Sequence, residues 1–289
     1  MAIALASTAA VALGYYQPTG ERFASTGATP RFVEPRATTG VAGAGTSPSA
    51  SSPSPHPSPS PSPTSALAKL IAAMPRFDPA PQPQLVPLPT GSAAPLFSRL
   101  PVNAPVAFLT MDDGITQLPA DLALMKAAHI PFTMFLIGPV AAHSPSFFGQ
   151  LEADGGVIED HTMTHPILRG RSYAFQHSEI CGARTTLGRA FGSEPTLFRP
   201  PYGDYDQTTL RAVHDCGLTA AFNWSETVRN GKVYYQTSVH KIRAGDIILM
   251  HFRSTFSEDL MAALTAIHDA GLTPALLTDY VSAAPKTTP

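Results

Sequence analysis

The sequence predicts a distorted (β/α)7 barrel, an α/β fold, preceded by a disordered or extended segment rich in proline and serine. From Ala104 onward, seven short apolar runs alternate with longer amphipathic stretches, which is the pattern of parallel strands covered by helices. Seven strands are one fewer than a complete eight-stranded barrel contains. Ionisable residues follow the ends of several runs, where barrels and open α/β sheets carry their active sites. A doubly wound open sheet is the alternative architecture.

The predicted strands are rich in β-branched and aromatic residues, and the stretches between them have helical periodicity. Ser257, followed by two acidic residues, predicts the start of the last helix. Gly217 and Gly271 stand just after their helices, where glycine is favoured at the C′ position. The predicted strands are 106–111, 132–137, 156–159, 196–199, 218–222, 246–251 and 273–277, and the predicted helices are 119–128, 146–153, 174–191, 206–216 and 257–270.

The composition limits the classes of partner. The chain has 289 residues, 44% of them hydrophobic, which is enough for one large domain or two small ones. Its 19 basic and 21 acidic residues give a formal charge of -2, so no basic surface for nucleic acid is expected. Residues 47–64 are almost entirely a Ser-Pro repeat, which cannot bury apolar surface and favours the extended polyproline conformation. This repeat predicts a semi-rigid spacer before the folded domain.

The beginning of the chain is apolar and rich in alanine over residues 2–16. We expect the remnant of a signal or membrane anchor, although the segment lacks a basic flank and is short for a membrane span. A loose apolar terminus is the alternative. An apolar start, a Ser/Pro/Thr-rich stalk and then a globular domain favour an extracellular or cell-envelope location, with or without a membrane anchor. The predicted divisions are the remnant at 1–20, the linker at 21–65, an extended lead-in at 66–103 and the folded domain at 104–284.

Two cysteines, Cys181 and Cys216, lie in predicted helices of the same domain and have no metal-binding spacing. An even pair in an exported protein favours a disulfide, and two buried free thiols are the alternative.

The candidate metal site starts from His161 and His165, which are four residues apart. In a helical turn this spacing puts both imidazoles on one face, although two unrelated surface histidines have the same spacing. The glutamate of an H-E-x-x-H motif is replaced by Thr162, so a third ligand and a base must come from elsewhere. Asp112 and Asp113 end an apolar run. Asp113 with two imidazoles leaves a zinc-sized ion one open position, and Asp112 remains as a general base.

Other polar residues follow later strands. Arg199 is expected to pair with Asp112 and hold it ionised, and a surface salt bridge is the alternative. The backbone amide of Tyr202 is expected to face a developing oxyanion. His251 closes an apolar strand and is either the acid that protonates a leaving group or a buried core histidine, with Leu249 as an apolar wall beside it.

Four segments, in this order, resemble the first, second, third and fifth motifs of the polysaccharide deacetylases, the NodB-homology enzymes of carbohydrate esterase family 4. They cover roughly residues 104–281 together with the intervening chain. The resemblance implies a distorted (β/α) barrel and a metal-dependent N- or O-deacetylase acting on peptidoglycan, chitin-like sugars or acetylated xylan. The segments are Thr110-Met111-Asp112-Asp113-Gly114, His161-Thr162-Met163-Thr164-His165, Arg199-Pro200-Pro201-Tyr202-Gly203 and Leu249-Met250-His251.

The resemblance also implies roles for individual residues. A divalent metal, Zn²⁺ before Co²⁺ or Ni²⁺, activates a water that Asp112 deprotonates, while His251 protonates the leaving group. The partner is an acetylated polysaccharide, and a monomer is expected. The implied metal ligands are Asp113, His161 and His165, with Arg199 beside the base, and Tyr202, Leu249 and Trp224 around the acetyl group.

The fourth motif departs from the family pattern. An aspartate that supports the acid histidine is expected there, close before a tryptophan, but residues 223–230 contain Trp224 and only one acid, Glu226. We interpret Trp224 as the pocket tryptophan and Glu226 as a replacement for the aspartate. A carbohydrate-binding homologue that has lost turnover through this change is the alternative function.

Overall fold

The computed structural model describes residues 63–281. The apolar segment 2–16 and almost all of the predicted linker lie outside the described residues. Within the described part of the chain, no helix is both long and apolar enough to cross a membrane.

The described chain alternates strands with helices. A short 3-10 turn covers Pro201–Gly203. The helices are α1 (Pro63–Ala73), α2 (Pro119–Ala128), α3 (Gly138–Ala142), α4 (Pro145–Ala153), α5 (Tyr173–Phe191), α6 (Gln207–Asp215), α7 (Phe256–Asp269) and α8 (Leu277–Tyr280). The strands are β1 (Leu96–Phe97), β2 (Val106–Asp113), β3 (Phe132–Leu136), β4 (Gly156–Asp160), β5 (Leu197–Phe198), β6 (Ala220–Phe222), β7 (Glu226–Arg229), β8 (Lys232–Tyr235), β9 (Ile247–His251) and β10 (Thr273–Pro274).

The strands form one sheet in the order β1-β6-β5-β4-β3-β2-β9-β7-β8, and β10 pairs with β2. Only β7 and β8 pair antiparallel among the described strands. The first residues of β2 pair with β10 and its last residues with β3, so the sheet curls around β2. The distorted (β/α) barrel is therefore confirmed. All seven predicted strands are present, and β1, β7 and β8 are additional.

The side chains of β2 separate an inner from an outer core. Val106 and Phe108 contact the inner cluster, whereas Ala107 and Leu109 contact the outer cluster, to which α2, α4 and α7 contribute. Successive side chains of a strand point to opposite faces, so both faces of β2 are buried and its sequence is almost continuously apolar. Thr110 and Asp112 continue the inner series toward the carboxyl end of the strand.

The lead-in at 66–103 is not extended throughout, because α1 occupies its beginning. Leu67, Leu70 and Ile71 recur at helical spacing and pack against the outer core. This burial and the good helix propensity of Ala and Leu favour a helix over an extended chain.

The hairpin of β7 and β8 was not predicted, although it has a strong local signal. Asn230 and Gly231 form its turn, with φ of 51° and 67°. Two positive φ values in sequence are what a type I′ turn requires, and Asn-Gly is its favoured pair.

The ends of the helices agree with the predictions to within one residue. Helix α7 begins at Phe256 after Thr255, so the predicted start at Ser257 is one residue late. Gly217 and Gly271 have φ of 76° and 72°, as expected for C′ glycines.

The predicted disulfide between Cys181 and Cys216 is present. It joins the middle of α5 to the residue that follows α6.

Candidate active site

The residues singled out in the sequence meet at the carboxyl end of the sheet. Asp112 and His251 are register partners on the neighbouring strands β2 and β9. His161 follows β4, and Arg199 follows β5. Since these strands are parallel, their carboxyl ends lie on one edge of the sheet, which brings residues 139 positions apart into one site.

Asp113, His161 and His165 present three ligand atoms to one point. Asp113 Oδ1 lies 3.3 Å from His165 Nε2 and 3.6 Å from His161 Nε2, and the two imidazole nitrogens are 3.2 Å apart. A tetrahedral zinc ion with bonds of about 2.0–2.1 Å separates its ligands by roughly 3.3–3.4 Å. The three atoms therefore have the spacing of three corners of such a tetrahedron.

The protonation of His161 also fits a cation. His161 Nδ1 donates to the Arg199 carbonyl oxygen at 2.7 Å, which leaves the Nε2 lone pair free. Burial lowers the pKa of His161 to about 3, so this imidazole is neutral at pH 7. Asp113 Oδ1 is buried and has no hydrogen-bond partner within the described chain. A buried carboxylate oxygen beside the neutral imidazole of His161 and the Nε2 atom of His165 is a donor set for a divalent transition metal.

The segment that carries the two histidines is a loop and not the expected helical turn. Thr162 and His165 have φ of 70° and 56°, in the left-handed region that residues other than glycine rarely adopt. The spacing of the two histidines therefore predicted correctly that their imidazoles lie close together. The helical turn on which that prediction was based is wrong.

Arg199 is fully buried, which excludes the alternative of a surface salt bridge. Its Nη1 donates to Asp112 Oδ1 and to Thr110 Oγ1, both at 2.7 Å, and its remaining nitrogens donate to the carbonyl oxygens of Phe222 and Asn223. Burial raises the pKa of Asp112, and the Arg199 guanidinium opposes that rise. The guanidinium thus fixes one oxygen of Asp112, while Oδ2 lies 3.7 Å from His161 Nε2.

Thr110 was missed in the sequence. It accepts from Arg199 and donates to the Ile248 carbonyl oxygen at 2.7 Å, and so connects β2, β9 and the guanidinium. The sequence did contain a signal for Thr110, because a residue two positions before Asp112 on a strand lies on the same face as Asp112.

His251 lies beside Asp112, its register partner on the neighbouring strand. The buried Leu249 precedes His251 on the same side of β9. Burial lowers the pKa of His251 to about 3, and the positive charge of Arg253 adds to the effect. His251 Nδ1 is buried and has no hydrogen-bond partner in the part of the chain that the structure describes.

Glu226 does not replace the missing aspartate. It pairs in register with Ile248, three residues before His251, and its carboxyl group contacts Asp246, the residue before β9. Burial and the Asp246 charge raise the pKa of Glu226 to about 9. The interpretation of Glu226 as the partner of His251 is therefore wrong.

Tyr202 and Trp224 border the site. Tyr202 has φ of 60° and an exposed ring, whose centroid lies 4.6 Å from that of His165. Trp224 is half-buried, with the Arg199 guanidinium 5.8 Å from its ring. The Tyr202 ring therefore lies beside the candidate ligand His165, and the Trp224 ring lies beside Arg199.

A second group of potential ligands consists of His177, Cys181 and Cys216. The disulfide occupies both sulfur atoms, so this group offers no thiolate pair to a metal.

The sequence model of the family described as polysaccharide deacetylase matches residues 99–221. The chain is 38% identical over 182 residues to an uncharacterized protein of Streptomyces coelicolor, an alignment that covers 61% of this chain and 73% of the relative. It is 34% identical over 152 residues to a chitooligosaccharide deacetylase of Bradyrhizobium, covering 50% of this chain and 69% of that enzyme.

The fold is similar to that of a solved CE4 family pseudoenzyme from Bacillus anthracis, with a TM-score of 0.58 and 21% identity. This similarity covers 65% of this chain and 69% of the solved chain.

Proposed function

Because the chain belongs to the polysaccharide deacetylase family, we propose that it is a metal-dependent hydrolase that removes acetyl groups from a polysaccharide. The observation that carries this proposal is the convergence of Asp113 Oδ1 with the Nε2 atoms of His161 and His165. Peptidoglycan, chitin-like polymers and acetylated xylan are the candidate substrates.

Asp113, His161 and His165 would hold the ion, for which Zn²⁺ is the first candidate and Co²⁺ or Ni²⁺ the next. When bound with an open position, such an ion activates water and polarises a carbonyl group. The neutral His161 and the unpartnered oxygen of Asp113 support this ligand set.

Asp112 is the base that accepts the proton of the attacking water. Its Oδ1 accepts a hydrogen bond from Arg199, whereas Oδ2 lies 3.7 Å from His161 Nε2, on the side of the candidate metal ligands. Arg199 has no freedom to move, because it is buried and its nitrogens donate to four different residues. The carboxylate is thus held in one orientation before substrate binds, which is the preorganisation that general-base catalysis needs.

His251 donates a proton to the departing amine or alkoxide, so that one proton is taken from water and one is given to the leaving group. The Tyr202 amide stabilises the developing oxyanion, and Leu249 and Trp224 enclose the acetyl methyl group. The exposed ring of Tyr202 and the half-buried Trp224 support contact with substrate at this edge.

Acetate release from acetylated chitooligosaccharides, muropeptides and xylan tests the proposal. We expect Asp112→Asn to lose activity by a factor of about 10²–10⁴, the usual contribution of a general base. Full activity in Asp112→Asn would contradict the base assignment, and no acetate from any substrate would contradict the hydrolase.

A carbohydrate-binding homologue without turnover is the second candidate, and His251 is the observation that favours it. An imidazole with a pKa of about 3 is neutral at pH 7 and does not protonate a leaving group in that state, and Nδ1 of His251 has no hydrogen-bond partner in the described chain that would raise this pKa. Glycan binding in the presence of Zn²⁺, with no acetate released between acidic and neutral pH, would support this candidate over the enzyme.

A polysaccharide substrate agrees with export to the cell envelope or the extracellular space, which we propose together with a monomeric state. Cell fractionation tests the location. Sedimentation of the purified chain tests the oligomeric state.

A further inference from the structure

The loop that carries the two candidate histidine ligands has side-chain acceptors for its backbone amides. Asp160 Oδ1 accepts from the Thr162 amide at 2.8 Å, and Thr162 Oγ1 accepts from the His165 amide at 3.0 Å. Glu179 Oε2 accepts the two amides between them, from Met163 at 3.1 Å and Thr164 at 2.8 Å. Four consecutive amides are therefore satisfied by side chains and not by regular secondary structure.

Glu179 also bonds the side chain of Thr164, whose Oγ1 donates to Oε1 at 2.8 Å. Both carboxylate oxygens of Glu179 thus hold one short loop. Glu179 lies on α5, 14 residues beyond His165, and only 9% of its surface is exposed. A nearly buried carboxylate with three donors, all from the same loop, is fixed relative to that loop.

The loop needs such support because its backbone is strained. Thr162 and His165 have φ of 70° and 56°, a conformation that a free chain of these residues seldom adopts. Met163 contributes a second contact with α5, because its side chain packs closely against Gly182. A Cβ added to Gly182 would lie only 3.0 Å from Met163 Cγ. Helix α5 therefore determines where the loop lies.

We propose that Glu179 is a positioning residue, which holds the loop 161–165 so that the Nε2 atoms of His161 and His165 face the same metal ion. The inference rests on the proposed function only in requiring that this site binds a metal. Glu179 is not a ligand and touches no reacting atom. Its acceptor oxygens, and not its charge, are what the loop requires.

The predicted consequence is measured as metal affinity. Glu179→Met fills the same space without acceptors, and we expect it to weaken Zn²⁺ binding by about 10- to 100-fold, the usual cost of losing an outer-shell partner. Glu179→Gln keeps an acceptor for the two amides and should restore most of the affinity. Asp259→Leu is a matched control, since buried Asp259 on α7 accepts from the Gly231 amide and the Thr255 hydroxyl.

Each purified full-length variant is titrated with Zn²⁺ against a chromogenic chelator at neutral pH, and its thermal midpoint is measured without metal. The proposal expects both Glu179→Met and Asp259→Leu to lower the midpoint, but only Glu179→Met to lower the affinity. The Co²⁺ absorption spectrum of Glu179→Met should change as well, because the geometry of the ligands changes.

Four outcomes would overturn the proposal. Wild-type affinity in Glu179→Met contradicts it directly, and equal weakening in Asp259→Leu shows a general loss of stability. If Glu179→Met does not fold, Thr164→Val replaces it, and unchanged affinity in that variant also contradicts the proposal. Absence of Zn²⁺ binding by the wild-type chain would overturn the proposed function as well, whereas the other outcomes leave it intact.

Discussion

Replacing Arg199 by Met should destabilise the folded domain strongly, because it leaves Asp112 without its buried partner. The two groups are 2.7 Å apart, and Arg199 is fully buried. At an effective dielectric constant of about 20, this separation corresponds to roughly 6 kcal/mol of attraction. Desolvation offsets part of it, and removing one member of a buried pair costs about 3–5 kcal/mol in practice. We expect a loss of that size in the free energy of unfolding.

Arg169→Met is the matched control, because Arg169 also pairs with an aspartate but has 57% of its side chain exposed. Exposed pairs contribute about 0–1 kcal/mol. Both variants are unfolded with urea at neutral pH in the presence of a chelator, so that bound metal does not affect the comparison. If Arg199→Met lost no more stability than Arg169→Met, the buried pair would not have the energetic role inferred from its geometry.

Other predictions concern protonation, the disulfide and one turn. The pKa of Glu226 is about 9 when folded and near 4.5 when unfolded, so wild-type stability should fall as pH rises between these values. Glu226→Gln should flatten that dependence in urea titrations, and an unchanged slope would contradict it. Replacing Cys181 and Cys216 by Ser removes a cross-link between residues 35 positions apart and should lower the free energy of unfolding by about 3–4 kcal/mol. An unchanged thermal midpoint would contradict this prediction. Gly245 has φ of 85°, and the Cβ of Gly245→Ala would lie 2.1 Å from the Leu100 carbonyl oxygen, so this variant should lose about 2–4 kcal/mol in the free energy of unfolding. Gly170→Ala also has a positive φ but meets no atom within 4 Å, so it should lose less, and an equal loss would contradict the role of the clash.

The sequence was sufficient for seven of the ten described strands and for the candidate site residues that follow them. The apolar run of β2 ends in Asp112 and Asp113 with no intervening turn, so both the strand and its functional end could be recognised. Motifs on separate strands converge because parallel strands end on the same edge, and no distance had to be known for that inference.

The conformation of the loop that carries His161 and His165 could not be predicted from the local sequence. Its positive φ values depend on acceptors from Asp160 and from Glu179, and Glu179 lies on a helix whose packing the sequence does not specify. Local spacing alone favoured a helical turn.

The contact between Glu226 and Asp246 could not be predicted from the local sequence either. Glu226 and Asp246 meet only because β7 pairs with β9, and β7 was not predicted. The Asn230-Gly231 turn could have revealed that hairpin, and with it the distance of Glu226 from His251.

Zn²⁺ binding by the purified chain tests the central claim most directly. Isothermal titration of metal-free protein should give one Zn²⁺ per chain, and Asp113→Ala, which removes one of three ligands, should weaken binding strongly without unfolding the domain. Absence of stoichiometric binding, or equal binding by wild type and Asp113→Ala, would contradict a metal centre formed by Asp113, His161 and His165.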